Sequence, residues 1–253
     1  MSRAFVPLTA LAAVLFAAAP LVVANAPFEQ TMGLVQKIFY YHVPSAMLMF
    51  VVAPVLVARA PFEATMGMVQ KIFYYHVPSA MVMFLSAFIC GVASAIYLFK
   101  GTPRADRVAF AAGELVALFG VIVLVTGPLW ARKAWGVWWQ WDARLTSTLL
   151  MWMIFLAYLL VRRYGGPGAE KLAAAMALFG MANVPFVYIS VNIWRTVHPT
   201  TRVVPTLAPS MKGPFWFAVA AFVLLYGLLL TLRIGLEERR AQVEHLYLEA
   251  DEG

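Results

Sequence analysis

Five of the eight tryptophans of this 253-residue chain fall within twelve positions, in Trp130-Ala-Arg-Lys-Ala-Trp-Gly-Val-Trp-Trp-Gln-Trp-Asp-Ala-Arg. Trp130, Trp135, Trp138, Trp139 and Trp141 offer flat aromatic faces, and Arg132, Lys133, Asp142 and Arg144 stand among them. That combination suits a large, flat, anionic, partly apolar ligand, and a porphyrin fits it. Tryptophan also collects at membrane–water interfaces. Such a belt accounts for two or three residues at a helix end, and poorly for a compact W-G-V-W-W-Q-W-D string. Four histidines add possible metal chemistry, because a neutral imidazole nitrogen is a good ligand for heme iron. His42 and His76 each precede Val-Pro at the mouth of an apolar run, and His198 precedes Pro199 just beyond another. His245 sits in a charged tail and reads as solvated. A lone interfacial histidine is more often a hydrogen-bonded cap than a ligand. Two on one membrane face beside a tryptophan-rich loop favour ligation.

The elements that must position these residues are membrane helices. Hydrophobic residues make up 63% of the chain and charged ones 12%, about half the charged share of a soluble domain. Apolar runs near residues 81–99, 108–129, 145–161, 172–193 and 215–232 are each close to the ~20 residues that cross a bilayer. A further run, 5–24, ends in a small-residue pattern like a signal-peptide cleavage site. With several spans following, it reads as a retained first helix. The expectation is an all-α polytopic bundle of six transmembrane helices plus one short extra apolar segment. Residues 1–235 form the membrane domain, with external loops at 129–146 and 194–214, and 236–253 form a charged cytoplasmic tail.

The short segment comes from a tandem repeat. Residues 26–50 return at 60–84, shifted by 34, with 22 of 25 positions identical. Arrays of this period need three or more units, and nothing later continues it, so it reads as a local duplication. The run that follows His42, residues 46–58, spans roughly 20 Å at helical rise, short of a ~30 Å hydrocarbon core. His42 therefore reads as a duplicate that is not a ligand, and His76 as the partner of His198. The competing layout, seven spans with the N-terminus outside, leaves His42 cytoplasmic and His76 in the same place.

Charge says more about orientation than about partners. The net charge is +7, but the basic residues are scattered over loops, which argues against nucleic acid. Nine Lys/Arg fall on the side of the 100–107 and 162–171 turns and seven on the side of the tryptophan loop. The positive-inside rule then puts the tryptophan loop outside. Six of those seven lie in the two loops bearing the tryptophans and His198. There Arg132, Lys133, Arg144 and Arg195 could pair with propionates, and phospholipid headgroups are the equal alternative. Asp142 is a candidate partner for Arg144 or an indole N–H. Glu114, near the cytoplasmic end of its run, is expected to snorkel or pair with Arg107, and Asn183 and Asn192 to hydrogen-bond between helices or loops. The single Cys90 permits no disulfide within the chain. No phosphate-binding P-loop occurs, so the chain is not expected to use ATP itself.

The string Thr126–Ser147 resembles the "WWD" signature of the heme-handling proteins of cytochrome c maturation, most of all the heme exporter protein C (CcmC) family. Lys71-Ile-Phe-Tyr-Tyr-His-Val-Pro-Ser-Ala80 and Gly180 to His198 resemble that family's two histidine motifs, in family order. The resemblance implies heme b held as cargo at the periplasmic face of a bacterial inner membrane. It makes His76 and His198 axial ligands, with Trp130, Trp135, Trp138, Trp139, Trp141 and Asp142 as the platform. It implies presentation of heme to a CcmE-like chaperone, with a CcmAB transporter and a CcmD-like small protein, rather than enzymatic turnover. Pro199 after the second histidine fits the related CcsA-type cytochrome c synthase branch, which stands as the alternative. A permease or ABC membrane subunit, and a scaffold without ligand, are the readings from other classes.

Overall fold

In the computed structural model, residues 71–251 are described together with Val55, Ala58 and Arg59. Five helices follow in order: α1 Phe73–Lys100, α2 Pro103–Ala134, α3 Ala143–Tyr164, α4 Ala169–Ile193 and α5 Pro209–Asp251. All five are long and apolar enough to cross a membrane. Each contains one of the five runs expected above, and no strand occurs among the described residues. The expected span at 5–24, the first repeat copy and His42 lie outside the described residues, as does nearly all of 46–58.

Local sequence explains where the helices start and stop. Thr102 precedes Pro103 at the first position of α2, where the missing proline N–H costs nothing. Asp142 is extended (φ −96°, ψ 170°) and its carboxylate accepts the Leu145 N–H at 2.8 Å, so it is the N-cap of α3. Gly101 ends α1 in the left-handed conformation, with its N–H on the Tyr97 carbonyl. The α5 helix carries Glu237 to Asp251, the expected charged tail, as continuous helix.

The helices pack as an antiparallel bundle in which α1 meets α2, α4 and α5, and α3 meets α2 and α4. Small residues set the spacing. A Cβ at Gly120 would stand 2.3 Å from Trp152 Cδ1, and one at Gly91 would stand 2.5 Å from Met181 Cβ. Close approach through glycine is the usual way membrane helices gain van der Waals contact. Trp152 also donates its indole N–H to the Ala117 carbonyl at 3.0 Å. At one end of the bundle, Arg162 grips Asp106 with two bonds of 2.7 Å. There too Arg233 pairs with Glu114 at 2.6 Å. Glu114 is thus held from α5 rather than by Arg107, because α5 packs on α2. Asn183 donates to the Ser147 carbonyl across α3 and α4, and Asn192 to Thr201 in the following loop, as expected.

Candidate functional site

The opposite end of the bundle gathers the N-termini of α1, α3 and α5 with the C-termini of α2 and α4. It encloses a cavity of about 630 Å³, within the usual range for ligand pockets. His76 and His198 both line it, as do Trp130, Trp135, Trp139 and Arg144. Interior prolines cluster at this end: Pro78, Pro128, Pro185 and Pro214. Each removes one backbone N–H from its helix, a loss that membrane helices tolerate where neighbouring groups satisfy the freed carbonyl.

His76 lies on the first turns of α1, inside the helix rather than in a loop before it. Its Nδ1 is 2.9 Å from the Thr126 hydroxyl. A Cβ built at Gly127 would stand 3.3 Å from the ring's Cε1, a tight contact that would push the imidazole by a few tenths of an ångström. His198 comes from the α4–α5 loop. Its ring Nδ1 is 2.8 Å from the Pro199 carbonyl, which can only accept, so Nδ1 carries the proton. Both rings therefore spend Nδ1 on the protein. Burial and then the Arg144 cation push the His198 pKa from its usual 6.5 down to about 4, against the opposing pull of the Pro199 carbonyl and Asp142. The imidazole stays neutral, as a ligand must.

Tryptophans divide into two sets. Trp130 stands on the last turns of α2, which extends to Ala134, and stacks edge-on with Trp135 at 5.0 Å between ring centroids. Trp135 in turn meets the His198 ring at 6.3 Å. Trp139 lines the cavity, and its indole Nε1 is buried without a hydrogen-bond partner. An orphaned buried donor is costly, and a ligand oxygen would satisfy it. Trp138 and Trp141 do not line the cavity and are 57% and 74% exposed. Gly136, at φ 78°, lets the loop turn after Trp135 where a side chain would strain it.

Among the four candidate cations, only Arg144 reaches the cavity. It donates to the Val187 and Tyr188 carbonyls at 3.1 and 3.0 Å, near the C-terminal end of α4, where a cation is favoured. Arg132 is exposed and turns back to the Gly136 carbonyl, and Lys133 and Arg195 are exposed. Asp142 does not take its hydrogen bonds from Arg144 or an indole. Besides capping α3 it accepts the Thr196 hydroxyl, and Thr196 Oγ1 accepts the His198 backbone N–H at 3.0 Å. The acid that closes the tryptophan string is thereby tied to the loop of the second histidine. Sequence reasoning missed Thr126, Gly127, Tyr188 and Thr196. Only their place in the quoted strings marked them.

A family model described as CcmC, heme exporter protein C, matches residues 47–248. The chain belongs to the heme exporter protein C family. The heme exporter protein C of Escherichia coli K12 is 32% identical over 169 residues, 62% of this chain and 67% of that protein. That of Bradyrhizobium diazoefficiens is 38% identical over 153 residues, 56% of this chain and 57% of its own. A ccmC-like mitochondrial protein of Marchantia polymorpha, described by cytochrome c biosynthesis, is 31% identical over 144 residues, 56% of this chain and 61% of its own. Membership implies heme handling in cytochrome c maturation by a multi-pass membrane protein, and it favours this branch over the CcsA type.

The cavity residues fit heme as cargo. Two neutral imidazoles leave Nε2 unspent, three indoles supply flat apolar walls, and a cation and an orphaned N–H are available for carboxylate oxygens.

Proposed function

We propose that this protein holds heme b in the cavity at the external, periplasmic end of the bundle and passes it to a chaperone for c-type cytochrome maturation. His76 and His198 are the axial ligands. Bound heme brings iron that two imidazoles saturate, which keeps it as cargo and away from oxygen chemistry. Trp130, Trp135 and Trp139 wall the macrocycle, where each well-placed aromatic pair adds about 0.5–1.5 kcal/mol beyond burial. Arg144 and the Trp139 N–H hold a propionate. Trp138 and Trp141, exposed beside the cavity, form the outer part of the platform. A CcmE-like chaperone receives the heme, with a CcmAB transporter and a CcmD-like protein as further partners in a bacterial inner membrane. No bond-making turnover is assigned to the chain.

The observation that carries this reading is that two histidines 122 positions apart line one cavity with three tryptophans of the W-rich string. The test is the absorption spectrum of the protein purified in detergent after expression with ample heme. A low-spin, six-coordinate spectrum that His76→Ala and His198→Ala each convert to another spin state is expected. Colourless protein would sink the reading and leave a permease or scaffold.

A further inference from the structure

We infer that Thr126 is a positioning residue for His76: its hydroxyl fixes the ring as the Nδ1–H tautomer, so that Nε2 is the atom offered to the cavity. This rests on the site reading above and names what sets its first ligand.

A threonine hydroxyl has one proton and can accept as well as donate. Thr126 Oγ1 is 2.6 Å from the Ile122 carbonyl one turn earlier in α2, and it donates there. The same oxygen is 2.9 Å from His76 Nδ1. With its proton committed to Ile122, it receives the second bond from Nδ1–H. The tautomer of an imidazole is set by the bond its other nitrogen makes. The lone pair then lies on Nε2.

Packing fixes the ring's direction as well as its proton. Gly127 follows Thr126, and its bare Cα faces the Cε1 and Nδ1 edge of the imidazole, with an added Cβ at 3.3 and 3.9 Å. The Nδ1–Cε1 edge is thereby held against α2, and the Nε2 edge is the one left to the cavity that His76 lines. His198 reaches the same state through the Pro199 carbonyl. Both rings donate to neutral oxygens rather than to carboxylates. Outer-shell partners of this kind orient a ligating histidine, and their loss typically costs about 10–100-fold in metal affinity.

The experiment compares Thr126→Val, which keeps the shape and removes the hydroxyl, with Thr126→Ser, which keeps the hydroxyl. In the unloaded protein, nitrogen resonances of isotope-labelled histidine should report His76 as the Nδ1–H tautomer in wild type and T126S, and as a mixture in T126V. In the loaded protein, T126V should retain heme about 10–100-fold less tightly. It should also gain a high-spin component that added imidazole removes, while T126S behaves as wild type. A thermal melt of the unloaded variants checks folding. An unchanged tautomer and spectrum in T126V would overturn the inference while leaving the site reading intact. Equal loss in T126S and T126V would also overturn it, since packing and not the hydroxyl would then matter. Wild type without heme would sink both.

Discussion

Replacing Thr196 by valine should loosen His198 without disturbing the helix that carries Arg144. Valine keeps the shape of threonine and removes Oγ1. Two hydrogen bonds go with it: the one donated to the Asp142 carboxylate and the one accepted from the His198 backbone N–H at 3.0 Å. A bond to a charged group is worth about 1.5–3 kcal/mol and a neutral one about 0.5–1.5, so the tie between the tryptophan loop and the histidine loop loses about 2–4.5 kcal/mol. The Asp142 bond to Leu145 N–H at 2.8 Å remains, and α3 keeps its cap. If the lower end of that range is felt by heme, retention falls by roughly thirtyfold. Competition with an apo-hemoprotein acceptor measures this directly, and a melt of the unloaded protein separates it from unfolding. Asp142→Asn should be milder, because asparagine caps a helix about as well as aspartate. Asp142→Ala should be worse than either, losing the cap as well. Heme retention in T196V equal to wild type would refute the reasoning, because the chain Asp142–Thr196–His198 would then carry no binding energy.

Two further outcomes follow from the same geometry. Trp139→Ala should weaken heme retention, while the double change Trp138→Ala, Trp141→Ala should leave occupancy close to wild type and lower transfer onward. Equal loss of occupancy from both sets, measured by pyridine hemochrome, would show that burial in this cavity does not sort the tryptophans. The depressed pKa of His198 gives a pH dependence of defined sign. Its folded value is about 4 against 6.5 unfolded, so the unfolded chain takes the proton first. The His198 contribution is flat above 6.5, and stability is withdrawn as pH falls from 6.5 towards 4. His198→Asn should reduce that slope in melts of the unloaded protein, and an unchanged slope would count against the burial of His198 beside Arg144.

The spans were legible because a bilayer demands about twenty apolar residues in a row, and nothing else in a chain produces five such runs. Their ends were less so. The α1 helix begins at Phe73, eight positions before the run at 81, because its first turns are packed against protein and a cavity rather than lipid. There tyrosine, histidine and serine are as suitable as leucine, and hydropathy carries no signal. The α2 helix outruns its apolar stretch through Ala131-Arg-Lys-Ala134, good helix formers that need no lipid. The site was legible in type and not in membership. Neighbouring tryptophans in an irregular loop point different ways, so Trp139 lines the cavity while Trp138 and Trp141 are exposed. Among four cations of equal promise, Arg144 is selected by the carbonyls of α4, which no local pattern announces. Thr126 reads in sequence as one more β-branched filler of an apolar run, and its bond to His76 spans fifty residues.

The duplicated histidine motif supplies a natural control for that long-range bond. His42 and His76 share the neighbours Tyr-Tyr-His-Val-Pro-Ser-Ala, so their local chemistry is the same. What the duplication does not copy is α2: Thr126 and Gly127 occur once, and they engage His76. One helix can seat one imidazole at that place. The second copy also leads directly into the full-length α1, whereas the run after His42, which lies almost wholly outside the described residues, is only thirteen residues long in the sequence. His76→Ala should therefore abolish the six-coordinate spectrum, and His42→Ala should leave it as it is. Thr126 permits a sharper test. Combining Thr126→Val with His42→Ala should look the same as Thr126→Val alone, because an idle histidine cannot compensate. A six-coordinate spectrum that survives His76→Ala and is lost only when His42 is also removed would mean that the first copy can enter the cavity. The seat formed by Thr126 and Gly127 would then not discriminate between the two.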